Sequence, residues 1–300
     1  MTRPDWIAVD WGTTRLRAYA VAAGEPMAEA MSDDGMSRLT PAEFEPALLR
    51  LIDPWLALGA VTDVIACGMV GARQGWVEAP YRTTPCTPLD AQSLITVPTQ
   101  DPRLRVRLIP GLSQTSPADV MRGEETQIAG ALAVMPGFDG ILCLPGTHSK
   151  WVHVSAGEVV SFQTCMTGEL FALLSKQSVL RHGMQTSGWN EQSFINSLAD
   201  AISRPEKLTA RLFSLRAEGL IAGLSPDQAR ARLSGLLIGI ELAATKPYWL
   251  GQNVVLIGES TLSDTYVRAL ALQGVTARQL PAGACSIAGL NRARIPESIA

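Results

Sequence analysis

Cysteine, histidine and charge are all thinly spread in this chain, and each scarcity closes off a class of function. The five cysteines (Cys67, Cys86, Cys143, Cys165 and Cys285) are odd in number and show no C-x-x-C spacing, so neither a disulfide framework nor a zinc site is indicated. Three histidines leave little room for a histidine metal site, and His148 and His153 do not share the i, i+4 face that a helical ligand pair needs. Charged residues make up only 18% of the chain, with a formal net charge of −3, so no basic surface advertises nucleic acid or anionic lipid. Long apolar runs are missing too. Met1 to Asp5 is followed by a four-residue apolar run before Asp10, too short for the hydrophobic region of a signal peptide. The longest later run, near Leu236 to Ala244, is broken by Glu241 and cannot span a bilayer. The expectation is a soluble, cytoplasmic enzyme with a small-molecule partner and no nucleic-acid or membrane partner. The oligomeric state stays open, a homodimer included.

What is present is a repetition. Ile7-Ala8-Val9-Asp10-Trp11-Gly12-Thr13-Thr14 runs into Leu16 to Val21 and then Gly24-Glu25. Ile141-Leu142-Cys143-Leu144-Pro145-Gly146-Thr147-His148 runs into Trp151 to Val154 and then Gly157-Glu158. Each copy reads as a buried strand, a tight Gly-Thr turn, a second strand, and a Gly-Glu turn into a third. Either copy alone is an ordinary hairpin. Both together, with the carboxylate Asp10 only in the first, point to a duplicated domain whose turns offer backbone N–H and hydroxyl donors to phosphate oxygens. This is the pattern of the actin-like ATPase and sugar-kinase fold. The expected class is α/β, two-lobed and ribonuclease H-like duplicated, with nucleotide in the interdomain cleft. Three hundred residues with 47% hydrophobic content suit two domains. The expected division is residues 1–115 and 116–300, with the boundary near Ser113 to Ala118.

Further along, Met36 to Gly59 carries apolar residues at helical spacing, opened by Thr40-Pro41 with Glu43 nearby. Val61 to Cys67 reads as a buried strand stopped by Gly68, and Met69 to Tyr81 as a loop of the kind that meets substrate in α/β sheets. Val106 to Ile109 is a further strand, followed by a polar segment to Asp119 and a helix from Glu124 to Met135. Helices are expected at Thr167 to Leu180, Pro205 to Leu215, Pro226 to Thr245 and Ser263 to Gln273, with a strand at Val254 to Ile257.

Phosphoryl transfer needs clamped phosphates, a metal, and a base that orients the acceptor hydroxyl. Asp10 is the candidate for Mg²⁺ and Gly12, Thr13 and Thr14 for the phosphates of ATP. Arg15 and Arg17 are expected on one face, able to stabilise charge on the transferred group, although solvated ion pairs would explain them equally. A helix opening at Glu124 puts that carboxylate on the inward face of Ile128, Leu132 and Met135, with Glu125 about 100° away, so Glu124 is the expected base and Glu125 its alternative or a metal partner. In the second hairpin Gly146, Thr147, His148, Ser149 and Lys150 offer further phosphate donors, Lys150 being equally readable as a surface lysine. Gly258, at a strand exit, is the seat for adenine.

Over essentially its whole length the sequence resembles the 2-dehydro-3-deoxygalactonokinase family. The stretches that carry the likeness are Ala8 to Thr14, Ala66 to Tyr81, Asp119 to Gln127, Leu144 to Val152, Met166 to Phe171 and Gly235 to Trp249. The resemblance implies the actin-like fold and transfer of the ATP γ-phosphate to the C6 hydroxyl of 2-dehydro-3-deoxy-D-galactonate, in galactonate catabolism, with Mg²⁺. Glycerol-kinase-type sugar kinases look similar more distantly. They carry a Gly-Asp pair where Gly123-Glu124 stands here. A sugar acid brings a carboxylate, so Arg73, in the loop after Gly68 and Met69, is the expected cation. Gln74 and Glu78 can meet hydroxyls, and Trp76 and Trp11 can cover the carbon skeleton. The competing readings are the same fold acting on another sugar acid or a neutral sugar, and a non-metabolic actin-like ATPase scaffold.

Overall fold

The structure, a computed structural model, describes residues 3–258 and 261–294. It opens with the antiparallel strands β1 (Trp6–Trp11), β2 (Leu16–Ala22) and β3 (Glu25–Ser32). The helix expected over Met36 to Gly59 is shorter: α1 spans Phe44–Ile52, between 3-10 turns at Pro41–Glu43 and Asp53–Trp55. Thr40 and Glu43 do form a capping box, but around the first of those turns, and Pro54, which lacks an N–H, stops the helix at the other end. Then come β4 (Thr62–Gly68), β5 (Arg82–Thr83), β6 (Ile95–Val97), β7 (Leu104–Leu108), β8 (Leu112–Thr115), β9 (Ala118–Met121) and α2 (Glu124–Val134). β1, β4 and β7 pair in parallel inside a sheet of order β3-β2-β1-β4-β7-β6. The segment expected to be polar loop forms the hairpin β8–β9, which joins β5 in a small sheet. Its residues do not alternate apolar and polar, so only the buried ends Leu112 and Met121 announce it.

The second hairpin is β10 (Gly140–Leu144), β11 (Ser149–Ser155) and β12 (Glu158–Cys165). The duplication extends to its tightest turn. Ala23-Gly24 and Ala156-Gly157 all take positive φ (53°, 81°, 51° and 80°), as a two-residue turn between right-twisted strands requires. There follow α3 (Thr167–Lys176), α4 (Glu191–Ser203), α5 (Leu208–Ile221), α6 (Pro226–Ala244), α7 (Lys246–Trp249), β13 (Val254–Ile257), α8 (Thr261–Ala271), β14 (Arg278–Leu280) and α9 (Ala282–Ala293). The second sheet has the order β12-β11-β10-β13-β14, with β10 and β13 parallel. α6 opens on a Ser225–Gln228 capping box.

The chain divides into two compact units. One comprises Met1–Asp139, Val154–Ser161 and Leu280–Ala300, and the other Gly140–His153 and Phe162–Gln279. Residues 113–118 lie on the β8–β9 hairpin of the first unit. In that unit each face of the six-stranded sheet has its own core. Ile7, Val9 and Trp11 pack with Phe44, Ala47 and Leu48 of α1. The alternate residues Trp6 and Ala8, with Ile65 and Cys67 of β4, pack with Leu290 and Ala293 of α9. α9 also lies along α2. No helix is expected at 282–293 because its small residues, Ala282-Gly283-Ala284-Cys285, show no apolar stripe. They are small because the two backbones approach closely there. In the second unit, Ile141, Cys143 and Trp151 pack with Phe194 of α4, Ile238 and Leu242 of α6 and Tyr266 of α8.

Candidate active site

The alternation along β1 decides where its carboxylate goes. Asp10 shares a face with Trp6 and Ala8, the face covered by α9 and α2, and stands one residue past the apolar core. Arg17 of β2 and Cys67 of β4 are its register partners on either side. Glu124, at the start of α2, is close enough to act on it electrostatically. Burial raises the Asp10 pKa above the usual carboxylate range; the Arg17 cation opposes that rise and the Glu124 charge adds to it. Glu125 is fully buried, with Oε2 accepting from Gly123 N at 2.6 Å and Oε1 from Thr126 Oγ1 at 3.1 Å. Desolvation, reinforced by Glu124, raises its pKa to about 8. The Cys67 thiol beside this group is pushed up by burial, then by Asp10 and Glu125.

The helix-face expectation needs correction here. Glu125, not Glu124, is the inward carboxylate. A single buried stripe is assumed in that reasoning, whereas Glu125, Thr126, Ile128, Ala129, Gly130 and Ala131 of α2 are all buried, because α9 covers a second side. Glu124 is half-buried, and its Oε2 accepts from Arg122 N at 3.0 Å. A carboxylate that a substrate hydroxyl can reach is the better placed of the two to accept a proton.

The Gly-Thr turn after β1 is tied by its carbonyls. Gly12 N donates to Arg15 O at 2.9 Å, Met36 N to Gly12 O at 3.0 Å, and Ser37 N and Oγ to Thr13 O at 3.0 and 2.8 Å. Thr13 and Thr14 are exposed. Arg15 lies in the turn, before β2 begins, so it does not share a strand face with Arg17; it pairs loosely with Asp33 at 3.9 Å, both side chains mostly in solvent. Trp11 is wholly buried, tilted against Phe44 at 5.1 Å and edge-on to Trp76 at 6.2 Å, with Nε1 donating to Asp34 O. It is a core residue, without the solvent-open face that the sequence expectation required. Burial of an aromatic of this size contributes roughly 2–3 kcal/mol.

β4 ends at Gly68, where a side chain would run into Trp11 O at 2.7 Å and where the Gly123 backbone also closes in. The loop beyond it keeps Gly71, Ala72, Gly75 and Ala79 inside, leaves Met69 and Trp76 half-buried, and presents Arg73, Gln74 and Glu78 to solvent. Arg73 is 81% exposed and already paired with Glu78 at 3.5 Å.

In the second unit, Gly146 lies against Gly168 at the start of α3, Thr147 O accepts from Glu169 N at 2.9 Å, and exposed His148 meets Glu169 Oε2 at 2.5 Å. Thr147 is exposed and borders a cavity of about 250 Å³ also lined by Gly146, Thr167, Phe171 and Ser234. Ser149 corrects the expectation. It is buried with its hydroxyl 2.9 Å from Tyr266 OH, out of reach of a phosphate. Lys150 is no surface lysine either: it is 4% exposed, and its Nζ donates to His148 O at 3.3 Å. Beneath this turn Glu241 accepts from Trp151 Nε1 and Tyr266 OH, each at 2.7 Å, and from Thr167 Oγ1. Burial raises its pKa while those donors pull it down. Gly258 ends β13, with its carbonyl accepting from Gln279 Nε2 at 2.7 Å. Sequence reasoning assigns no role to Glu241, yet a lone acid inside the apolar run of Leu236 to Ala244 is the signal that marks it.

Among the described residues no group of three or more His, Cys, Asp or Glu is placed to hold a metal by itself. Magnesium does not need one. It binds through one or two carboxylates together with substrate phosphates, and the desolvated Asp10, with Glu124 beside it, is a donor set that a hard dication would suit.

The fold is that of the actin-like ATPase and sugar-kinase class. The activator of 2-hydroxyisocaproyl-CoA dehydratase from Clostridium difficile, solved with bound ADPNP, shares that fold at a TM-score of 0.51 and 14% identity, over 96% of this chain and 93% of that one. The sequence model of the 2-keto-3-deoxy-galactonokinase family matches residues 10–293, and the chain belongs to that family. It is 37% identical, over 96% of both chains, to a Rhizobium meliloti (strain 1021) protein carrying the provisional name 2-dehydro-3-deoxygalactonokinase DgoK1. It is 33% identical, over 90% of both, to the 2-dehydro-3-deoxygalactonokinase of Escherichia coli (strain K12). A crystal structure from Sinorhizobium meliloti with the same provisional family name superimposes at a TM-score of 0.89 with 36% identity, over 96% of this chain and 97% of that one. No helix among the described residues is long and apolar enough to cross a membrane.

Proposed function

We propose that this protein is a cytoplasmic, ATP-dependent kinase that phosphorylates the C6 hydroxyl of 2-dehydro-3-deoxy-D-galactonate, giving the 6-phosphate for galactonate catabolism. The observation that carries this reading is the carboxylate group formed by Asp10, Glu124 and Glu125 beside the exposed Thr13-Thr14 turn, in a chain of this family. Glu124 accepts the proton of the C6 hydroxyl as its oxygen bonds to the γ-phosphorus and the bond to ADP breaks. Glu125, with a pKa near 8, holds its own proton at neutral pH and therefore does not compete as the base. Asp10 holds Mg²⁺, which when bound neutralises charge on the β- and γ-phosphates. Thr13, Thr14 and the flanking cations Arg15 and Arg17 donate to the phosphates from the first hairpin, and Gly12, with no side chain, lets them approach the turn. Gly146, Thr147, His148 and Lys150 supply the second. Gly258 approaches the adenine. The loop from Gly68 through Arg73, Gln74, Trp76 and Glu78 surrounds the sugar acid.

Coupled ATP turnover against 2-dehydro-3-deoxygalactonate, its gluconate epimer and plain hexoses tests this. The galactonate derivative should give the highest kcat/KM, with phosphate on C6 of the product. Preferential turnover of a neutral hexose, or slow ATP hydrolysis that no sugar accelerates, would refute it.

A further inference from the structure

Arg122 is a buried charge in the first unit that neither the fold nor the chemistry above explains. It stands between β9 and α2 and is 9% exposed. Nη2 donates to Ala79 O at 2.7 Å, and the guanidinium lies over the Tyr81 ring, 4.3 Å from its centroid. Nε and Nη1 are buried with no hydrogen-bond partner among the described residues, and no described carboxylate pairs with the group. A buried cation left in that condition is among the costliest features a fold can retain, and an anion arriving from outside is what removes the cost.

We propose that Arg122 receives the carboxylate of the sugar acid, in place of the exposed Arg73. The inference rests on the sugar-acid reading above and names the residue that recognises the acid. The guanidinium geometry suits it, since a planar fork with unclaimed N–H groups binds a carboxylate bidentately. Gly71 keeps side-chain atoms away from Nη1: a β-carbon there would stand 3.0 Å from that nitrogen. Arg122 also shares a turn with Glu124, whose Oε2 accepts from the Arg122 backbone N–H. One strand-to-helix turn thus carries a cation for C1 and a base for the hydroxyl at the far end of a six-carbon chain. Arg73, in contrast, is neutralised by Glu78. Gly71, Ala79 and Tyr81, which cover the guanidinium, belong to a single loop, so the carboxylate reaches Nε and Nη1 as that loop shifts, and Trp76 within it reports the movement.

Steady-state kinetics of Arg122→Gln, Arg122→Lys and Arg73→Ala, each with the sugar acid and with its analogue reduced at C1 to the alcohol, decide the matter. Arg122→Gln should raise KM for the acid about tenfold to a hundredfold while KM for ATP and for the alcohol stays within about threefold. Arg122→Lys should recover only part of the loss, and Arg73→Ala, in the loop around the substrate, should raise KM for the acid and for the alcohol to the same extent. An Arg122→Gln enzyme impaired equally on acid and alcohol would reduce the residue to a prop for the loop and overturn the proposal, as would a selective KM increase in Arg73→Ala. Should the Arg122 variants fail to fold, the wild-type protein crystallised with the sugar acid answers instead. The carboxylate on Arg122 supports the proposal, and the carboxylate on Arg73 or on no cation overturns it. Wild-type enzyme that ignores the sugar acid altogether defeats the function reading itself, an outcome distinct from acid turnover that is indifferent to Arg122.

Discussion

Two buried glutamates, one in each unit, show what separates a carboxylate satisfied by its neighbours from one crowded by a second acid. Glu241 sits under the Gly146 turn with Trp151, Tyr266 and Thr167 all donating to it. Glu125 sits in the first turn of α2 with a backbone N–H and one hydroxyl, facing a second carboxylate in Glu124. Burial raises the pKa of both. At Glu241 the neighbours answer the cost with hydrogen bonds, while at Glu125 the nearest charge makes it worse. Such mutual crowding of acids is relieved where a cation and phosphates arrive, which is why the proposed chemistry is assigned to the first hairpin. The second hairpin is built to hold still.

Asp10→Asn should break the reactive side most severely, lowering kcat roughly 10²-fold or more and raising the Mg²⁺ concentration needed for half-maximal turnover. An unchanged metal titration would remove Asp10 from the metal's surroundings. Glu241→Gln should do the opposite. Its amide keeps one acceptor and sets an NH2 group against the donors on the other side, Trp151 or the pair Thr167 and Tyr266, costing on the order of 3 kcal/mol of stability in denaturant unfolding, while kcat per folded molecule stays within about threefold. A large kcat loss with normal stability would erase the contrast between the two glutamates.

A subtler effect comes from Glu125→Gln. The native carboxyl, with a pKa near 8 against an ordinary 4.5, holds its proton more tightly than the unfolded chain does. That contribution is complete below about pH 4.5 and is lost as pH rises toward about 8. Thermal unfolding without ligands should therefore show wild-type Tm falling more steeply than that of Glu125→Gln over this window. Parallel curves would mean that Glu125 ionises normally. The smallest effect expected is that of Gly68→Ala, where positive φ and the close Trp11 carbonyl should cost roughly 1–2 kcal/mol.

Much of this was legible from residues alone, for physical reasons that can be named. The hairpins announced themselves because a Gly-Thr turn and a Gly-Glu turn at matching offsets are hard to produce twice by accident. α6 declared its start through Ser225-Pro226. α9 stayed hidden because close helix packing demands small residues, and those erase the apolar stripe by which helices are recognised. The orientation of Glu124 and Glu125 was misjudged because α2 is covered on more than one side, a tertiary fact with no periodic trace. Trp11 offered a ring beside a turn, and nothing local distinguishes a platform for ligand from a wedge in the core. Arg122 did leave a sign, a cation directly before a helix-opening glycine, but its burial and missing partners emerge only when Ala79 and Tyr81 are brought alongside.

Glu124→Gln tests the central claim most directly, in steady-state turnover of 2-dehydro-3-deoxygalactonate with ATP affinity measured in parallel. If the half-buried carboxylate at the start of α2 takes the acceptor's proton, kcat should fall by roughly 10²- to 10⁴-fold while ATP binds as before. A kcat near that of the wild type would contradict the account, because Glu124 would then not be serving as the base.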